Sequence, residues 1–166
     1  MSNWAIAIHG GAGHWLRRNN AAGLIQARAG LRRALAAAAT ILAADGAALN
    51  AAIAAVRVLE DDPWFNSGIG AALTEAGTVE HDAGIMRGND GAFGAVAGVR
   101  CLRSPIEAAR RVLEDGRHVL LIGEGAEVFA RAAGCDYADP ALFITDQARA
   151  DLQRWRKNQD PTVSKG

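Results

Sequence analysis

The segment Thr78–Arg100, TVEHDAGIMRGNDGAFGAVAGVR, predicts the centre of the fold. Thr78–Met86 and Gly91–Arg100 each have the composition of a strand, and Gly88-Asn89-Asp90-Gly91 between them is typical of a hairpin turn. We therefore expect two neighbouring strands joined by a tight turn, with the other elements packed around them.

Two helices are predicted before this hairpin. Ala21–Ala44 is dominated by Ala, Leu and Arg, with apolar residues at helical spacing, and Asp45-Gly46 supplies a stop. Ala48–Asp61 repeats the helical spacing, and Pro63 ends it.

After the hairpin, Ser104-Pro105-Ile106-Glu107 predicts a helix start with a capping box, in which Ser104 caps and Glu107 completes the motif. That helix is expected to end at Asp115-Gly116. His118–Ile122 then predicts a short buried strand. The next helix is predicted over Gly123–Ala133, with these residues facing inward: Ala126, Val128, Phe129 and Ala132.

The two ends of the chain differ in character. Trp4–Ile8 predicts a buried strand that opens onto a glycine turn. Thr145–Lys157 predicts a polar helix capped by Thr145 or Asp146, and Asn158–Gly166 a mobile tail. The expected division is one half-domain over residues 1–157 and a tail over 158–166.

The alternation of strands with pairs of helices predicts layered α/β or α+β packing. About four short strands make too small a sheet for this many helices. We therefore expect further strands from another chain.

Composition excludes some classes of partner. The 166 residues carry 18 basic and 18 acidic side chains, so bulk charge favours neither a nucleic acid nor an anionic membrane. No signal peptide and no apolar stretch long enough to span a bilayer is visible, which predicts a cytoplasmic protein. Neither the cysteines nor the histidines have the spacing of a metal site.

His9-Gly10-Gly11-Ala12-Gly13 follows the first predicted strand. Glycines there permit positive φ and expose peptide N–H donors. The alternatives are a simple strand-ending turn and a dinucleotide loop, but Leu16 stands where the third glycine of that fingerprint is required.

Five motifs in order carry a resemblance to a known family: HGGAG, LEDDPWFNSGIGAAL, EHDAGIMRGN, GAVAGV and HVLLIGEGAE. Over about Trp4–Ala133 the chain resembles the α subunit of plant-type asparaginases and isoaspartyl peptidases, which are N-terminal-nucleophile hydrolases. One departure is Arg87, where the family commonly has an acid. The resemblance implies a four-layer αββα sandwich of which this chain is the N-terminal half. It also implies a β subunit from the same precursor, an (αβ)2 heterotetramer, and hydrolysis of β-aspartyl dipeptides or L-asparagine.

The resemblance implies self-cleavage at a Gly–Thr bond, and the sequence ends at Gly166. We expect the next residue to be the Thr nucleophile at the start of the β subunit, with its freed α-amine as the base. An arbitrary chain boundary is the alternative.

Asn66 matches the family's Asn in the FNxGIG motif, where the amide lies beside the nucleophile and supports self-cleavage. An amide donates and accepts hydrogen bonds without changing charge. The alternative is a turn Asn that satisfies local backbone groups.

The same loop resembles the family's sodium-binding loop, in which main-chain carbonyls hold the ion. Oxygen ligands suit a hard cation. The alternatives are a calcium or magnesium site on the carboxylates of Glu60, Asp61 and Asp62, or solvated acids at a helix end. The matching carbonyls belong to Leu59, Glu60, Asp62, Phe65, Ser67 and Ile69.

Three further functions stay open at this stage. An aspartylglucosaminidase-like hydrolase is a variant of the same chemistry. A helical interaction module would fold and remain monomeric alone, and a nucleotide-binding protein would bind NAD or ATP.

Overall fold

The computed structural model describes residues 3–11 and 21–159. Within these ranges the chain forms five α-helices, three β-strands and two short 3-10 turns. The helices are α1 (Ala21–Ala43), α2 (Ala48–Glu60), α3 (Pro105–Asp115), α4 (Gly123–Ala132) and α5 (Asp146–Gln159). The strands are β1 (His81–Met86), β2 (Phe93–Val99) and β3 (Leu120–Ile122).

The predicted hairpin is confirmed as the antiparallel pair β1–β2, in which Met86 lies opposite Phe93 beside the turn. The Arg87 N–H donates to the Ala92 carbonyl, and the Arg87 guanidinium binds both carboxylate oxygens of Asp90. The basic residue thus pairs within its own turn. The sheet order is β1-β2-β3, with β3 parallel to β2 across the α3 crossover.

Helix α3 lies directly on the hairpin because β2 has a glycine at the contact. A Cβ placed on Gly94 would lie 2.7 Å from the Leu113 Cα, closer than packed atoms approach. One core cluster joins β2 to α3 and α4 through Val96, Val99, Leu102, Ala108, Val112, Ala126 and Ala130. A second cluster joins α1 to α2 through Ala34, Ala38, Leu42, Ala51 and Ala55.

The predictions for α1, α2 and α5 are confirmed to within a few residues. After α1, Asp45 adopts φ 56° and the Gly46 N–H donates to the Ile41 carbonyl at 2.9 Å, which closes the helix end. Thr145 caps α5 by accepting the Ala148 N–H at 3.1 Å. Helix α5 continues through Gln159, two residues into the predicted tail, and the rest of that tail lies outside the described residues.

The capping box predicted at the start of α3 is wrong. The helix does begin at Pro105, but the Ser104 side chain forms no capping hydrogen bond to the helix backbone. Its hydroxyl donates instead to the carboxyl group of Glu60, at the end of α2. A distant acid has replaced the local cap.

Three predictions of buried strands or faces are also wrong. Trp4–Ile8 forms no strand pairing among the described residues, and of these five residues Ile6 and Ile8 pack on the α1–α2 cluster. Strand β3 is exposed rather than buried, because no described element covers its outer side. On α4, Val128 and Ala132 are exposed, since the helix turns Ala126 and Ala130 toward the core.

Mixed α/β packing is confirmed as the fold class. Cys101 and Cys135 are free thiols. Among the described helices, none combines the length and the apolar character that crossing a bilayer requires.

Candidate active site

The loop between α2 and the sheet is tightly folded. The Phe65 N–H donates to the Asp62 carbonyl and the Gly70 N–H to the Ser67 carbonyl, both at 3.2 Å, and Gly68–Gly70 form a 3-10 turn. Gly68 has φ 55°, and a Cβ there would collide with the Glu60 carbonyl. Only glycine therefore fits this position, both for its backbone angle and for its contact.

The loop is fastened to α1 by two buried side chains. The Phe65 ring packs where α1 has Gly30, since a Cβ on Gly30 would lie 2.6 Å from that ring. The Asp62 carboxylate accepts from Arg33 at 2.6 Å and from the Trp64 N–H at 3.0 Å. The contact at Gly30 was not predicted, because a glycine inside a helical pattern carries no signal about its neighbours.

The divalent-cation alternative is wrong for these acids. Asp62 pairs with Arg33, Asp61 pairs with Arg103, and Glu60 binds Ser104. The three carboxylates thus have three different partners. Within residues 3–11 and 21–159, no group of three or more His, Cys, Asp or Glu side chains is placed to hold a metal ion.

Glu60, the last residue of α2, is the most deeply buried of the three acids, with 2% of its surface exposed. One carboxyl oxygen accepts the Ser104 hydroxyl at 2.5 Å, and the other accepts the Ile106 N–H at 3.0 Å. Burial raises the pKa of this carboxyl to about 7, although the two hydrogen bonds oppose the rise. Its main-chain oxygen was among the predicted ligands, but the role of its side chain was not foreseen.

The glycine-rich motif reaches the same loop. A Cβ on Gly10 would lie 3.0 Å from the Phe65 ring, so the motif lies against the loop. Gly11 adopts φ 106°, as expected of a glycine turn, and its N–H donates to His9 Nδ1 at 3.3 Å. Gly13 lies outside the described residues.

Asn66 is exposed on the surface of the loop. Its Oδ1 accepts the Ala72 N–H at 2.7 Å, so the acceptor end of the amide is held by the backbone beyond the 3-10 turn. This bond is what a turn Asn would make. It also fixes the amide so that its N–H donors are left for a partner that the described residues do not supply.

Two of the six carbonyls of the predicted sodium site belong to the last two residues of α2, Leu59 and Glu60, and the other four lie on the loop that follows. Those of Leu59, Asp62 and Ser67 each accept one loop N–H. A carbonyl oxygen has a second lone pair, so these bonds leave it able to ligate a cation. The sodium site stays a prediction.

His81 supports the loop from the sheet side, a role that its sequence position did not indicate. Its Nε2 lies 3.4 Å from the Gly68 carbonyl, and its ring packs edge-on against Phe143. Its Nδ1 is buried and has no hydrogen-bond partner in the described ranges. Burial lowers the pKa of this imidazole.

Comparison with known proteins identifies the family to which the chain belongs. The family model described as asparaginase matches residues 2–165. The chain is 43% identical over 162 residues to a plant-type L-asparaginase of Thermococcus kodakarensis, covering 98% of this chain and 50% of the relative. It is 44% identical to an isoaspartyl peptidase of Escherichia coli (95% and 49%), and 37% identical to an isoaspartyl peptidase/L-asparaginase of Bos taurus (95% and 50%). The chain thus spans about half the length of these relatives, and it belongs to the asparaginase family.

Proposed function

We propose that this chain is the α-subunit half of a self-cleaving amidohydrolase that acts on β-aspartyl dipeptides and L-asparagine. The observation that carries the proposal is the arrangement of the loop. Asn66 stands exposed on a segment fixed from three sides by Phe65, Asp62 and Gly68, with its acceptor end already bound. Family membership favours this chemistry over a nucleotide-binding protein or an interaction module. The relatives' names favour these substrates over those of an aspartylglucosaminidase.

In the proposed reaction, the bond after Gly166 is cut and the following Thr becomes the first residue of a β subunit. Its freed amine takes the hydroxyl proton, and the hydroxyl oxygen attacks the side-chain carbonyl carbon of the substrate. The carbon–nitrogen bond then breaks, the protonated amine leaves, and an acyl-enzyme ester remains. Water hydrolyses the ester and releases aspartate. Asn66 donates a hydrogen bond at this centre and stays neutral throughout.

A β subunit is the proposed partner, in an (αβ)2 heterotetramer with a four-layer αββα fold. The support is a run of exposed apolar side chains along β3. They are 50–66% exposed, and large apolar side chains exposed side by side are typical of a surface that a partner covers. The β3 patch comprises Val119, Leu120 and Ile122.

The cofactor is proposed to be a structural sodium ion on the loop carbonyls. Support comes from the tight fold of the loop and from the engagement of its carboxylates elsewhere, which leaves main-chain oxygens as the available ligands. Refined density of the whole protein in sodium buffer should contain a cation among these carbonyls. A peak with the height of a water molecule and ordinary hydrogen-bond distances to the loop oxygens would contradict the site. The compartment is proposed to be the cytoplasm.

The direct test of activity is aspartate release from a β-aspartyl dipeptide by the purified full-length protein. We expect turnover by the wild type and a loss of about 10²-fold or more in Asn66→Asp, because the amide donor is replaced by a charged acceptor. Asp90→Asn, at the remote hairpin turn, is the control for a change between acid and amide. Wild-type rates in Asn66→Asp would remove this residue from the site.

A further inference from the structure

The buried carboxyl of Glu60 has no part in the proposed chemistry, yet it joins the end of α2, where the site loop begins, to the start of α3. It accepts the Ser104 hydroxyl and the Ile106 N–H, so it occupies the place of the missing cap at the start of α3. A buried acid with both oxygens engaged holds its own backbone firmly, because breaking either bond would leave a buried polar group unsatisfied.

The main chain of Glu60 also packs directly against the loop, at Gly68. The Gly68 α-carbon lies against the Glu60 main chain so closely that a Cβ would come within 2.9 Å of the Glu60 Cα. On its other side the Gly68 carbonyl faces His81 Nε2. Gly68 is two residues from Asn66, and the turn that it begins leads to Ala72, whose N–H holds the Asn66 amide.

We propose that the Glu60 side chain is a positioning residue for Asn66. It fixes the end of α2 against the start of α3, and the fixed Glu60 backbone then sets where Gly68 and the Asn66 turn lie. The catalytic consequence rests on the function proposed above, whereas the positioning itself does not.

A second acidic contact between the same helices gives a matched control. Glu107 accepts from Arg57 at 3.2 Å, and so also joins α3 to α2. The two side chains are partly exposed, and among the described residues neither forms a hydrogen bond or an ion pair with the loop. If Glu60 only stabilises the contact between α2 and α3, removing either acidic contact should affect loop exchange and kcat alike.

The experiment compares Glu60→Leu, Glu60→Gln and Glu107→Gln in the full-length protein. Gln retains an acceptor for the Ile106 N–H and can donate to the Ser104 hydroxyl oxygen, so it should largely restore the geometry. Hydrogen exchange of peptides covering residues 61–73 should quicken by about tenfold or more in Glu60→Leu, with little change in α1 or α5. The kcat for a β-aspartyl dipeptide should fall by about tenfold or more with KM nearly constant, because small displacements of a reacting group are costly. Glu60→Gln should restore most of the protection from exchange and most of the kcat. Glu107→Gln should match the wild type in both measurements.

Several results would overturn the inference. These are wild-type exchange in residues 61–73 of Glu60→Leu, an equal rise of exchange throughout the protein, or equal losses in Glu107→Gln. If Glu60→Leu does not fold, Ser104→Ala removes one of the two bonds and must still quicken exchange in residues 61–73 for the proposal to stand. A wild-type protein that releases no aspartate would defeat the proposed function, while the exchange data would still decide the positioning.

Discussion

The loop from Asp61 to Gly70 and the β3 patch are opposite cases within one small chain. In the loop, the buried Phe65 ring and the buried Asp62 carboxylate both have partners within the chain, as does Glu60 just before it. In the β3 patch, apolar side chains of similar size stand 50–66% exposed. The chain thus completes its candidate site loop internally but leaves apolar side chains of its sheet uncovered, which supports the proposal of a β subunit.

The largest effect is expected where the loop is tightest. Gly68→Val should cost about 3 kcal/mol or more of unfolding free energy, because the side chain meets the Glu60 carbonyl and the positive φ is unfavourable for a branched residue. Denaturant unfolding of the full-length protein measures this. Gly125→Ala is the control, since its Cβ meets nothing within 4 Å, and it should be neutral or stabilising by about 0.5–1 kcal/mol. A Gly68→Val protein as stable as the wild type would show that the loop is not fixed as described.

The second effect concerns assembly rather than folding. Ile122→Lys should leave the fold of this chain intact but prevent its association with the second half, because a charge would be buried in an apolar contact. Ile25→Lys is the matched control, since both isoleucines are 66% exposed and Ile25 lies on a different element outside the β3 patch. Size-exclusion chromatography with mass analysis measures the result. Equal assembly of both variants would mean that the β3 patch is not the covered face.

The smallest expected effect is on the pH dependence of stability, and it concerns His81, which contacts the loop from the sheet. Because burial lowers the pKa of His81 below its ordinary value of 6.5, the folded protein resists protonation there. The stability that neutral His81 contributes is present above about pH 6.5 and is lost as pH falls through the lower folded-state pKa. His81→Met should therefore lose less stability than the wild type on going from pH 7.5 to pH 5.5. Thermal unfolding at the two pH values measures this, and parallel losses would contradict it.

Local patterns in the sequence were enough to predict most of the helices and the hairpin. Periodicity, turn glycines and helix stops act over a few residues, so α1, α2 and the β1–β2 pair lie where they were expected. The motif residues that the structure brings together, Gly10 and Phe65, were linked by family resemblance and not by any local signal.

What could not be predicted depends on contacts between distant residues. Ser104 and Glu107 have the spacing of a capping box, but Glu60 takes the cap from 44 residues earlier in the chain. An apolar run such as His118–Ile122 has the same composition whether its own chain or another one covers it, so its exposure was missed. The close packing at Gly30 was not predicted for the same reason, because the Phe65 ring that packs there is distant in the sequence.

The central claim is that this chain is one half of a self-cleaving enzyme, and N-terminal sequencing of the purified full-length protein tests it most directly. The account predicts two chains in equal amounts, with Thr as the first residue of the second, directly after Gly166. A single uncut chain that hydrolyses β-aspartyl substrates, or a second chain that begins with a residue lacking a nucleophilic side chain, would contradict it.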